Sequence, residues 1–290
     1  MPMAIPVRVV DAFTEAPFAG NPAAVCRLDR WLADATLAAI AREMNLSETA
    51  FLVAGRGRGQ AGPAAGLPAG VAFELRWFTP AVEVPLCGHA TLASAHVLWE
   101  DGVAPADEPI TFLTRRSGEL RATRGPDGTI VLDLPLDPVA PVSTPPGLEA
   151  AIGAAPVAVG RAAGANLLVE LATAAEVRGL VPDLLWVGGL EDGLIVTAPS
   201  DDPRFEIVSR YFDPRVGIPE DPVTGSAHCA LAPWWAPRVG NRFRAWQASA
   251  RGGALTVELA GDRVLVGGRA VTVLRGELLA GGEATELVAR

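Results

Sequence analysis

Two short stretches of the chain set chemistry-bearing residues at matching intervals. "EVPLCGHATLAS", Glu83 to Ser94, and "EDPVTGSAHCAL", Glu220 to Leu231, align without a gap, so that Glu83 falls on Glu220, Pro85 on Pro222, Gly88 on Gly225 and Ala90 on Ala227. The side chains around the shared glycine differ. Cys87 and His89 flank it in the first copy, Thr224 and Ser226 in the second, where Asp221 stands just ahead. A run of small and apolar residues follows each glycine and predicts a helix, over Gly88 to Trp99 and over Ser226 to Trp235. The N–H groups of a first helical turn lack internal partners and carry partial positive charge, so each start can hold a carboxylate. Glycine there permits close approach of a ligand. If a pseudo-two-fold axis turns both starts toward one cleft, that cleft suits a small anionic metabolite.

Proton chemistry needs a carrier as well. Glu48 in "NLSETAF" lies among Leu46, Ala50 and Phe51, where loss of water would lift its pKa toward the working pH and make it usable as acid and base. His89 can donate or accept beside Gly88. Asp221 can orient an ammonium or hydroxyl group, and Ser226 can bind substrate; each can equally serve as a helix cap. Other chemistries fit less well. "TGSAH" lacks the GxSxG elbow of serine hydrolases. Cys87, His89, His228 and Cys229 lack the spacings of zinc sites, so no metal is expected. No GxGxxG or GxxxxGK[ST] occurs, and no cofactor is expected.

The surrounding pattern says how these residues are carried. "RWFTP" at Arg76 matches "RYFDP" at Arg210, and "LSETAFLV" from Leu46 is echoed by "LEDGLIVT" from Leu190. The offset, near half the chain, argues for two copies of one domain rather than a solenoid. A helix is predicted over Asp34 to Met44, with Asp34 as its cap and Asn45 at its C-terminal end. "TAFLV" reads as a buried strand, "VAFELRWF" as another, and Gly55 to Gly70 as a surface loop. The second half opens with "GTIVLDLP" and is strand-rich. Many short strands around one enclosed helix in each half do not fit a doubly wound parallel sheet. The fold class expected is α+β: two pseudo-symmetric domains, each a β-barrel-like sheet around a central α-helix. Residues 1–126, completed by 270–290, form the first and 127–269 the second.

Composition removes several partners. The net charge of −9 disfavours nucleic acid and anionic membrane surfaces, both of which call for clustered Lys and Arg. No apolar run is long enough to span a bilayer, and the start of the chain lacks an export signal. Three widely spaced cysteines read as reduced thiols of a cytoplasmic protein.

Taken together, "DAFTEAPFAGNPAAV", "AREMNLSETAFLV", "LRWFTP", "LCGHATLASAHVL", "GIPEDPVTGSAH", "RGGALTV" and "VTVLRGEL" resemble the PhzF family, named for a phenazine-biosynthesis isomerase with a diaminopimelate epimerase-like fold. The resemblance covers nearly the whole chain. It implies two similar domains with the site between them, a homodimer, and no cofactor or metal. It further implies that Glu48 moves a proton as in trans-2,3-dihydro-3-hydroxyanthranilate isomerase, with His89, Asp221 and Ser226 contributing to the site. Epimerases of this fold use two opposed cysteines, whereas here the internal alignment sets Cys87 opposite Thr224. An alcohol is a poor partner base, so a two-thiol racemase is disfavoured. An epimerase and a non-catalytic binding protein on the same scaffold remain the alternatives.

Overall fold

A computed structural model of the chain describes residues 3–55, 71–191 and 193–280. The expected loop at Gly55 to Gly70 falls, from 56 onward, outside the described residues. The internal repeat of the sequence reappears as a repeat of strand pairings. In the first domain, Met3–Ala12 pairs antiparallel with Asn21–Leu28, which runs parallel to Glu48–Ala54. That strand pairs antiparallel with Val71–Phe78, which runs parallel to Ile110–Thr114, followed antiparallel by Glu119–Arg124 and Ile130–Pro135. The same order of antiparallel and parallel steps recurs through Ala158–Ala162, Leu167–Glu170, Leu194–Pro199, Ile207–Asp213, Arg242–Gln247, Gly253–Ala260 and Arg263–Gly268.

The two domains exchange chain at their seam. Ala270–Ala280 returns to pair along Met3–Ala12, and Val139–Pro141 pairs with Ala158–Ala162 in the equivalent place. Ile130–Pro135 pairs with Arg263–Gly268 and joins the sheets. Ile130–Pro135 ends the first run of pairings and Val139–Pro141 begins the second.

Each sheet wraps one helix, Gly88–Glu100 in the first domain and Ala227–Val239 in the second. The first has buried residues on every face, as its run of small and apolar residues requires. Leu92 and Leu98 are sealed completely, and each such side chain contributes roughly 1.5–3 kcal/mol. Its hydroxyls are satisfied within the helix: Thr91 Oγ1 donates to Cys87 O and Ser94 Oγ to Ala90 O. The second helix runs four residues past the expected Trp235, because Pro233 and Pro237 do not end it. Pro233 cannot donate to the carbonyl four residues back, and that carbonyl, Cys229 O, accepts instead from Asp137 N.

The helix Asp34–Met44 stands where the periodicity put it, and Asn45 closes it in the left-handed conformation at φ 49°. Asp34 does not cap it. Ala33 holds the N-cap position, and the Asp34 carboxylate accepts from Arg76 Nη1 at 2.8 Å. Arg76 also forks onto Glu83 with two 2.7 Å bonds, tying the strand Val71–Phe78 to the turn before the first central helix.

Candidate functional site

Gly88 and Gly225 meet each other. A Cβ on Gly88 would lie 2.8 Å from Gly225 Cα, and one on Gly225 would lie 3.1 Å from Gly88 Cα. No larger residue allows the two helix starts to come so close, and this contact, more than ligand approach, explains glycine at both positions. Both glycines also line a cavity of about 420 Å³ at the domain junction, together with Glu48, His89, Asp221 and Ser226. The six residues singled out from the sequence thus converge on one cleft.

Glu48 opens the strand Glu48–Ala54, which packs against the first central helix, and its carboxyl is carried into the interior. Burial, reinforced by the negative charge of Asp221, holds its pKa well above the ordinary 4.5, although contact with Cys87 opposes the shift. Asp221 is pushed up to about 6 by burial, against the hydrogen bonds that favour its charged form. Its Oδ2 accepts from Thr224 Oγ1 at 2.5 Å and its Oδ1 from Asn21 Nδ2 at 2.8 Å. The charge of Asp221 thus adds to the burial that disfavours ionisation of Glu48. Of the two, Asp221 has the hydrogen bonds that favour its charged form, from Thr224 and Asn21.

His89 Nε2 lies 3.2 Å from Glu48 Oε2, off the line of a well-formed hydrogen bond, and neither atom has another protein partner among the described residues. Burial lowers the His89 pKa to about 3, so the ring is neutral. Buried polar atoms without partners are costly in a folded protein and mark places where a ligand completes the bonding. Ser226 occupies the N-cap position of the second helix but makes no capping bond, which leaves its hydroxyl available to the cavity.

Several side chains of the site gave little signal in sequence. Asn21, seen only as part of a turn, is fully buried between His89 and Asp221. Gln247 fixes the turn ahead of the second helix: its Nε2 donates to Asp221 O and Thr224 Oγ1, and its Oε1 accepts from Thr224 N. His228 faces away from this chemistry, with Nδ1 on Thr224 O. Nothing local distinguishes Gln247 from any other strand glutamine.

Glu48, Cys87 and His89 offer ligand atoms within 4.8 Å of one another. Their chemistry does not fit a metal ion well. Burial and the neighbouring Glu48 push the Cys87 thiol well above its ordinary 9.0, and an ion would have to displace that thiol proton. Their arrangement suits holding and moving a proton.

Comparison with known proteins agrees with this architecture. The family model described as phenazine biosynthesis-like protein (PhzC-PhzF) matches residues 10–276. A protein of Halalkalibacterium halodurans, named an uncharacterized isomerase, is 45% identical over 280 residues, covering 96% of this chain and 99% of the relative. The crystal structure of a PhzF-family phenazine biosynthesis protein from Enterococcus faecalis superposes with a TM-score of 0.83 at 39% identity, over 95% of this chain and 99% of that one. A hydroxyproline epimerase from Agrobacterium vitis shares the fold, with a TM-score of 0.63 at 13% identity over 98% and 95% of the two chains. No helix among the described residues is long and apolar enough to cross a membrane.

Proposed function

This chain belongs to the phenazine biosynthesis-like (PhzC-PhzF) family, and on that premise we propose that it is an isomerase that moves a proton between two atoms of a small carboxylate substrate, with Glu48 as the carrier. The observation that carries this reading is the buried Glu48 carboxyl, raised in pKa and short of partners, on the wall of a cleft beside the two helix starts. The substrate carboxylate lies against the N–H groups of those starts, where partial positive charge also stabilises the anion formed when a carbon-bound proton leaves. Glu48 in its ionised form takes that proton and returns it at a second atom on the same face. His89 and Ser226 supply hydrogen bonds to the substrate, and Asp221 holds an ammonium or hydroxyl group. Nothing is oxidised or reduced, and the step calls for no cofactor.

The finer reading is a cyclic substrate such as trans-2,3-dihydro-3-hydroxyanthranilate. A cavity of about 420 Å³ has room for a six-membered ring with its substituents. A two-base epimerase is less well supported, because the position mirroring Cys87 is Thr224, whose hydroxyl donates to Asp221 and is not free to act as a base.

The test uses deuterated water, with trans-2,3-dihydro-3-hydroxyanthranilate and a panel of small amino and hydroxy acids. The natural protein incorporates deuterium into one of them with rearrangement. Glu48→Gln keeps the fold and the binding but loses about 10³-fold in exchange rate, within the range that a positioned acid–base group supplies. Undiminished exchange in that variant rejects Glu48 as the carrier, and inversion of a stereocentre without rearrangement replaces isomerase by epimerase.

A further inference from the structure

Asn21 touches both sides of the proposed proton-moving group through a single nitrogen. Its Nδ2 lies 2.8 Å from Asp221 Oδ1, 2.9 Å from Val223 O and 3.0 Å from His89 Nδ1. Val223 O is a carbonyl and only accepts, so the nitrogen must face it. Turning the amide over would set its oxygen against that carbonyl and the Asp221 carboxylate, and the present orientation holds even though Asn21 Oδ1 has no protein partner among the described residues. An amide N–H₂ cannot accept. His89 Nδ1, facing it, must therefore carry the lone pair, which leaves the ring proton on Nε2, the atom 3.2 Å from Glu48 Oε2. Cys87 Sγ lies 3.5 Å from Nδ1, a contact a thiol can make as weak donor or weak acceptor, so the direction is set by Asn21.

Asn21 is itself held in place across the domain junction. Gly20 before it has φ +64°, and a Cβ there would lie 2.1 Å from Ala12 O. Arg251 of the second domain donates to Gly20 O at 2.8 Å, to Ala19 O at 3.0 Å and to Asp11 Oδ1 at 2.8 Å, while Gly20 N donates to Gly252 O at 2.9 Å. The turn that carries Asn21 is thus hydrogen-bonded to the second domain, although Asn21 belongs to the first.

From this geometry we infer that Asn21 is a positioning residue that locks His89 in its Nε2–H tautomer and in register with Asp221, so that Glu48 always faces a ring N–H. The inference rests on the assignment of Glu48 as proton carrier for its purpose, but its geometry stands apart from the identity of the substrate. With two hydrogens shared among three acceptors, a change in what Asp221 accepts alters what His89 accepts, and the amide becomes the link between the domains' polar groups.

The experiment is long-range ¹H–¹⁵N correlation NMR on the ¹⁵N-labelled full chain. Three histidines make the spectrum simple, and His89→Gln identifies the signal of interest. The natural protein shows His89 as a single neutral tautomer, with the proton on Nε2 and a hydrogen-bonded acceptor at Nδ1. In Asn21→Leu and Asn21→Ala the Nδ1 resonance loses its hydrogen-bonded character and the two tautomers exchange. Deuterium incorporation into the substrate found above falls about 10²-fold, with binding changed far less. A proton on Nδ1 in the natural protein overturns the inference without any variant, and so do unchanged His89 nitrogen shifts in a folded variant. If the natural protein exchanges no carboxylic acid, the functional reading fails while the tautomer result still decides the role of Asn21.

Discussion

At the first helix start the chain reads Cys87-Gly88-His89, and at the second Thr224-Gly225-Ser226. The glycines are held in common because each stands in the space that a side chain on the other would need. The flanking residues have diverged in kind. On the first side, Glu48, Cys87 and His89 are groups whose proton affinity is set by a dry interior, with few hydrogen bonds to hold them. On the second, Asp221, Thr224 and Gln247 form a closed set in which nearly every polar atom is paired. The duplicated scaffold thus carries two different settings at its seam: buried titratable groups with few hydrogen bonds in one domain, and a buried carboxyl held by hydrogen bonds in the other.

Outside the site the same contrast takes a milder form. Arg76 and Arg210, equivalent in the two copies, each fork onto a glutamate, Glu83 and Glu220, with paired bonds of 2.7–2.9 Å. The remaining guanidinium nitrogen does different work. In the first domain it reaches the Asp34 carboxylate at the start of a helix. In the second it donates to Leu180 O at 2.6 Å and Val177 O at 3.2 Å, where it satisfies the carbonyl end of the helix Ala174–Gly179.

Breaking this comparison begins with function. Glu48→Gln is expected to lose about 10³-fold in proton exchange and Thr224→Val only about tenfold, as measured by deuterium incorporation; equal losses would erase the difference between the two settings. Next comes Arg76→Met, which removes a buried guanidinium from Glu83 and the largely exposed Asp34 and should cost about 2 kcal/mol in urea unfolding. Arg210→Met should cost less, because its third nitrogen serves neutral carbonyls. Gly88→Ala forces a methyl against backbone that cannot yield and should cost about 2 kcal/mol, with Gly225→Ala slightly milder in line with its longer contact. The smallest effect is a change with pH. Burial raises Glu48 above its unfolded value of 4.5, so the folded chain binds that proton more tightly than the unfolded one. Its stabilising contribution is complete below pH 4.5 and is lost as the pH rises through the raised pKa. Glutamine does not titrate, so the melting temperature of Glu48→Gln relative to the natural protein should rise between pH 4 and pH 8.

Much of this was legible in the sequence for local reasons. Periodicity marked the helix Asp34–Met44, alternation marked the strand Val71–Phe78, and runs of small residues marked both enclosed helices. Glu48 could be singled out because its apolar neighbours are adjacent in the chain. What stayed hidden depends on partners far along the chain. Asp34 reads as a cap until Arg76, 42 residues away, claims its carboxylate. Asn21 reads as a turn residue until Asp221, 200 residues on, is laid beside it. The continuation of the second helix through Pro233 depends on a donor from Asp137, which no local pattern announces. The meeting of Gly88 with Gly225 was half visible: the alignment showed that they correspond, but only packing shows that they touch.

The return of Ala270–Ala280 to lie along Met3–Ala12 through ten residue pairs sets an order of events during synthesis. The second domain's strands, from Val139 to Gly268, are contiguous and can assemble as soon as they leave the ribosome. The first domain, translated earlier, cannot complete its sheet until Ala270–Ala280 emerges. For that interval one flank of the opening strand presents unpaired backbone N–H and C=O groups, the condition that invites pairing with a neighbouring nascent chain. The domain made first is thus the domain finished last.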